Sequence, residues 1–170
     1  MTEPDPKSET TDCEALLACL AEEQDALGRL LFKLREQHLI LTSGEHRWLE
    51  PSTSEVESAV RQLTDVGQRR EAIAGRVHAA HGLPAGSTLA RLAERVSDEL
   101  LCQQLHQRQR SLRDVLDQVR RSSRQNRRLL ATGLAATNDA LAVLGAVPTY
   151  DAEGLATHSL PSTRSFDARI

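Results

Sequence analysis

Cys13, Leu20, Leu27, Leu34 and Leu41 recur every seventh residue. A seven-residue apolar repeat lines one face of an α-helix that packs lengthwise along another helix. Leu16 and Leu30, or Leu17 and Leu31, fill the intermediate positions, so the stripe is sustained over four repeats. The spacing predicts a first helix over about residues 11–42, closed by Ser43-Gly44, because a glycine after the last periodic residue commonly ends a helix.

Two further helices follow from the same period. Val56, Val60, Leu63, Val66, Ile73, Val77 and Ala80 define a second, over about 53–81, with Arg70 standing where an apolar residue belongs. Pro51 reads as a turn before it, and Ser52 with Glu55 or Ser54 with Glu57 matches the capping box of a helix start. The segment HGLPAGS, with two glycines and a proline, stops it. Ser87 or Thr88 caps a third helix over about 88–145, marked by Leu89, Leu92, Val96 and Leu100, then Leu105, Leu112, Val115 and Val119. A phase slip lies between Leu100 and Leu105. The stripe turns polar through Ser122, Ser123 and Asn126, resumes at Leu129 and Leu130, and ends at Gly145 to Pro148.

The fold class expected is all-α: an elongated antiparallel three-helix bundle or coiled coil with a long third helix and flexible termini. At 170 residues with 2% aromatics, the chain suits one domain of long helices, since strands draw on β-branched and aromatic residues. Residues 1–10, polar and bearing Pro4 and Pro6, are expected to be disordered. Residues 147–170 read as a flexible tail in which Leu155, Leu160, Phe166 and Ile170 are too irregularly spaced for a helix. Between them, 11–146 form the bundle.

Length sharpens this picture. At 1.5 Å per residue the first two helices reach about 45 Å, whereas an unbroken third helix approaches 85 Å. Leu130, Leu134, Thr137, Leu141 and Leu144 then form an apolar stripe that the shorter helices cannot cover. It stays bare unless the helix breaks near Arg120 to Asn126 and folds back, or a second copy of the chain closes over it.

Enzymatic chemistry has no positive sign. The glycine-rich phosphate loops GxGxxG and GxxxxGK[ST] are absent, and no Ser, His and Asp arrangement is recognisable; no cofactor is expected. His78 and His81 sit three apart, but no Cys, Glu or Asp cluster joins them, so no metal site is expected. They read as solvated histidines at a helix C-terminus, where positive charge is favoured. Cys13, Cys19 and Cys102 are an odd number in a chain without disulfide-rich character and are expected to be reduced. Cys13 and Cys19, six apart on a helix, diverge and do not form a redox pair.

The net charge of −3 excludes a generic polyanion binder, and its distribution is uneven. Residues 1–50 hold eleven acidic and five basic side chains, while 108–128 hold eight arginines against Asp114 and Asp117. Phosphate neutralisation is one use of such a run. The spacing of Arg120, Arg121, Arg124, Arg127 and Arg128 around the helix, and the lack of interleaved aromatics to stack bases, favour a solvated face that pairs with the acidic first helix. No nucleic-acid partner is expected. The N-terminus is unlike a signal peptide, and no apolar run approaches the ~20 residues of a membrane span. A soluble, cytoplasmic protein without membrane insertion is the expectation.

The order of features resembles the FlgN-like family of flagellar type III export chaperones over roughly residues 12–154. The resemblance is carried by LLACLAEEQDALGRLLFKLREQHLILTSG, by QLTDVGQRREAIAGRV with Arg69-Arg70-Glu71, by Asn126 followed by Leu129-Leu130 in NRRLLATGLAATNDALAVL, and by Tyr150-Asp151 with Gly154. It implies a non-enzymatic chaperone of the cytoplasm that holds hook–filament junction (hook-associated) proteins and delivers them to the membrane export gate and its ATPase complex. The substrate-binding surface it implies lies around Asn126, Leu129, Leu130, Leu134, Leu141 and Leu144, with Tyr150 docking at the gate. The serine- and arginine-containing tail is longer than in the better-known members. The competing reading of the same stripe is a homodimeric coiled-coil adaptor.

Overall fold

In the computed structural model, backbone structure is described for residues 6–145, 149–150 and 156–157, and side-chain environments for 11–143. The protein is an all-α helical bundle. Helix α1 runs Pro6–Ser43, α2 Leu49–Ala80, α3 Leu89–Ala93 and α4 Glu99–Gly145, with a 3-10 turn at His46–Trp48. The chain divides into two compact units, Met1–Arg127 and Arg128–Ile170.

In the first unit, the heptad face of α1 is core from Cys13 to Leu34. One apolar cluster joins Cys13, Leu16 and Leu20 to Ala74 and Val77 of α2, Leu92 and Ala93 of α3, and Leu101 and Leu105 of α4. A second joins Leu27, Leu30, Leu31 and Leu34 to Ala59 of α2 and Val119 of α4, with Val56 and Val115 packed against it. Early α1 residues thus meet late α2 residues and early α4 residues. The three long helices run up, down and up, as short connections require.

Several boundaries depart from the sequence reading, each for a local reason. Helix α1 starts at Pro6, so residues 6–10 are helical and not irregular; proline is tolerated in a first turn, where its missing N–H has no partner to lose, and extending a long helix by one turn needs no new nucleus. Residues 1–5 lie outside the described residues. Pro51 likewise sits in the first turn of α2, which begins at Leu49 and not near 53. The hydroxyls of Ser52 and Thr53 therefore do not cap it; they donate back to the Leu49 carbonyl at 2.9 and 2.8 Å.

The end of α2 is closed by a Schellman arrangement. Gly82 takes φ +64°, its N–H reaches the Ala79 carbonyl at 3.1 Å, and the Leu83 N–H reaches His78 at 2.8 Å. Gly44, with φ +75°, turns the chain out of α1.

The third predicted helix is two helices. Thr88 accepts a hydrogen bond from the Arg91 N–H at 3.3 Å and starts the five-residue α3. Asp98 then caps α4 through the Leu100 and Leu101 N–H groups at 2.8 and 3.3 Å. The break falls at 94–98, ahead of the phase slip that the sequence placed between Leu100 and Leu105. From Glu99, α4 is continuous to Gly145, with no break near Arg120 to Asn126.

The second unit comprises the rest of α4 and, beyond it, a two-residue antiparallel pairing of β1 (Thr149–Tyr150) with β2 (Ala156–Thr157), in register Thr149↔Thr157 and Tyr150↔Ala156. The expected tail therefore holds paired backbone at these positions. Leu155, Leu160, Phe166 and Ile170 lie outside the described residues.

Candidate functional site

Asn126 closes the polar stretch of the α4 stripe, and it is 2% exposed. Its amide nitrogen donates to the Leu34 carbonyl at 2.7 Å and to Gln37 Oε1 at 3.1 Å; its oxygen accepts from His38 Nδ1 at 3.1 Å. Gln37 in turn donates to Thr53 Oγ1 at 3.1 Å. The network therefore ties α1, α2 and α4 together with both the nitrogen and the oxygen of the Asn126 amide engaged on protein atoms, as a buried amide requires. This corrects the sequence reading, which put Asn126 on a substrate-binding surface. Its side chain has no face left to offer a partner.

The leucines beyond it behave differently. Leu129 is half-buried, while Leu130, Leu134 and Leu141 are 37%, 64% and 60% exposed. Every described side chain from Leu130 to Val143 is exposed. Leu144 is helical in backbone, and Tyr150 lies in β1 paired to Ala156; their side chains are outside the described residues. Leu130, Leu134, Thr137 and Leu141 repeat at four, three and four, so α4 presents them as one row. Thr137 turns its hydroxyl onto the Gly133 carbonyl at 2.9 Å, which leaves its methyl group to extend the apolar row.

A second row escaped the sequence reading. Leu129, Gly133, Ala136, Ala140 and Val143 follow the same four-three-four-three spacing. At about 100° per residue it lies next to the first row, and together they make roughly half of the helix circumference apolar. Small residues hid it, because only Leu129 and Val143 stand out in a search for leucine-like periodicity.

The charged residues also settle differently from expectation. Three carboxylates of α1 pair with α2 or within α1: Glu22 with Arg69 at 2.9 Å, Glu23 with Arg70 at 3.0 Å, and Glu36 with Lys33 at 2.8 Å, while Lys33 also reaches Glu55 of α2 at 2.7 Å. Hydrogen bonds that it donates to the Glu36 and Glu55 carboxylates hold the Lys33 ammonium above its usual range. The arginines of α4 were expected to pair with the acidic first helix, and among the described residues none forms an ion pair with an α1 carboxylate. Arg108 turns inward and donates to Gln24 at 2.8 Å; Arg120 pairs with Asp117 of its own helix at 3.6 Å.

His78 is a second correction. It was expected in solvent, yet it is 3% exposed, and neither ring nitrogen has a hydrogen-bond partner among the described residues. Burial, and secondarily the nearby charge of His81, push its pKa below the ordinary histidine value. His81 instead donates from Nδ1 to the Val77 carbonyl at 2.9 Å. Among the described residues no three His, Cys, Asp or Glu side chains are grouped to hold a metal. Cys13 and Cys19 are both buried, and Cys102 is half-buried; none of the three is in a disulfide. Burial raises the Cys19 pKa, reinforced by Glu22.

These features define a class: an all-α helical bundle that bears an exposed apolar helix face, with no described helix long and apolar enough to cross a membrane. The family model for FlgN protein matches residues 12–157, from the early turns of α1 to the end of β2, and the chain belongs to that family, the flagellar export chaperones. Members of the family are chaperones and not enzymes. No curated protein and no solved structure matches the chain.

Proposed function

We propose that the face of α4 formed by Leu129, Leu130, Leu134, Leu141 and Leu144 holds a helix-prone segment of a hook–filament junction protein in the cytoplasm and delivers it to the export gate. The observation that carries this reading is the exposure of Leu130, Leu134 and Leu141 in one row of α4. Helix-in-groove recognition uses anchors at three- and four-residue spacing, and Leu130, Leu134, Thr137 and Leu141 supply them at i, i+4, i+7 and i+11. Family membership supports hook-associated proteins as the partners.

Width and strength fit such a partner. A cargo helix covering ~600 Å² of apolar surface would gain roughly 15 kcal/mol at ~25 cal/mol per Å², before the cost of ordering a disordered segment. That cost leaves a complex tight enough to hold cargo and weak enough to release it. Tyr150, beyond the helix, is the residue proposed to dock at the gate.

The test is titration of a purified junction protein against Leu134→Asp/Leu141→Asp. Capture should be abolished while circular dichroism stays unchanged; undiminished capture would refute the reading. Tyr150→Ala should keep capture and lose gate binding. If light scattering finds two chains whose association the double variant breaks, the row closes a homodimer instead.

A further inference from the structure

Six arginines of the first unit, Arg110, Arg113, Arg120, Arg121, Arg124 and Arg127, are exposed on α4. The sequence reading spread this run around much of the helix. At about 100° per residue the six instead fall within an arc of roughly 120°, along about 25 Å of helix. Arg108, the member outside the arc, is the one that turns inward to Gln24. The arc faces away from the positions of Leu105, Val119 and Asn126, which are buried.

Intramolecular neutralisation of this ridge is slight. Among the described residues Arg120 has an ion-pair partner, Asp117, while Arg113, Arg121, Arg124 and Arg127 have none. Three α1 carboxylates, Glu22, Glu23 and Glu36, are engaged instead with Arg69, Arg70 and Lys33. The result is a straight cationic ridge on a helix whose opposite side is fixed in the core.

We propose that this ridge docks an acidic amphipathic helix of another protein, at a site separate from the apolar face. Charge complementarity selects the partner's sign, and two details select its kind. Arg113, Arg120, Arg124 and Arg127 are spaced seven, four and three residues apart, the spacing at which a helix running alongside presents its own carboxylates. Asp117 lies inside the arc and Asp114 at its edge, so a uniform polyanion would meet two repelling carboxylates, whereas a protein helix can set a cation opposite each. A nucleic acid would also find no aromatic side chain on this helix to stack a base. Guanidinium groups grip carboxylates in two-pronged fashion, which adds register to attraction.

The full chain is titrated with two synthetic helical peptides of equal length and composition. One carries glutamates at the seven-four-three spacing with a lysine opposite Asp117, and the other carries the same residues scrambled. The patterned peptide should bind roughly tenfold more tightly and weaken as salt is raised. Arg120→Glu/Arg124→Glu, with unchanged circular dichroism, should lose it and should instead bind the peptide with lysines in place of the glutamates. Leu134→Asp/Leu141→Asp should bind the patterned peptide normally, which separates this site from the proposed cargo face. Equal binding of both peptides, no binding of either, or displacement of the patterned peptide by poly-uridine or phosphatidylglycerol vesicles at lower concentration would overturn the proposal.

Discussion

Helix α4 carries two leucine-bearing stretches with different surroundings. Leu101, Leu105 and Val119 are buried against α1, α2 or α3, while Leu130, Leu134 and Leu141 are exposed. Both stretches repeat at three and four residues, and both would score as amphipathic helix. The contrast teaches that periodicity reports a face prepared for burial and says nothing of which chain supplies the cover. What separates them is Asn126. It is the last α4 residue buried in the first unit, and its bonds to Leu34, Gln37 and His38 replace the apolar packing of the turns before it.

The comparison can be broken most directly by truncating one leucine from each stretch. Leu105→Ala should cost about 3 kcal/mol in urea unfolding, because Leu105 is fully buried and its removal leaves a cavity. Leu134→Ala should change stability by less than about 0.5 kcal/mol, as exposed substitutions do. Similar losses from the two would erase the distinction. Next in size is Asn126→Ala, expected to cost about 2 kcal/mol by leaving the buried Gln37 Oε1 without its donor and a cavity in place of the amide. A neutral result in the same assay would mean that the network does not hold α4 to α1.

The smallest expected effect concerns pH. His78 has a folded pKa below the 6.5 of an unperturbed histidine. The unfolded chain then binds more protons than the folded one once pH falls below that value, so stability drops on acidification, by at most about 1.4 kcal/mol per pH unit, until the folded pKa is reached. Above about pH 7 both states are neutral and the dependence vanishes. His78→Leu should flatten the urea midpoint between pH 7 and 5.5 and leave stability at pH 7 equal or higher, since it removes a buried ring without partners. A wild-type midpoint that does not fall over this range would contradict the burial of His78.

Legibility followed the strength of the pattern. The heptads of α1 were readable because leucine stood at nearly every core position, and Gly44 and Gly82 marked true left-handed turns. The gap between α3 and α4 was not readable, since Leu92, Val96 and Leu100 keep helical spacing straight across it. A lone Asp98 was the one local sign of a restart. His78 was misplaced by residue type, although its position four after the buried Ala74 and beside Val77 put it on the core side. Asn126 was assigned by resemblance, and only coordinates could show its amide bonded to α1 and linked through Gln37 to Thr53 of α2. The ion pairs failed for a similar reason: charge totals give attraction between regions, while helix rotation decides which side chains meet.

The three thiols give the bundle an internal clock. Cys13 and Cys19 lie in the packed interior, the latter with its thiol held protonated by burial, whereas Cys102 is only half-covered. Thiolates are the reactive form, so reagents reach Cys102 from the closed state and reach the other two when the helices part. The ratio of slow to fast labelling is therefore a running measure of how often the bundle opens, recorded from the chain's own thiols with no cysteine introduced.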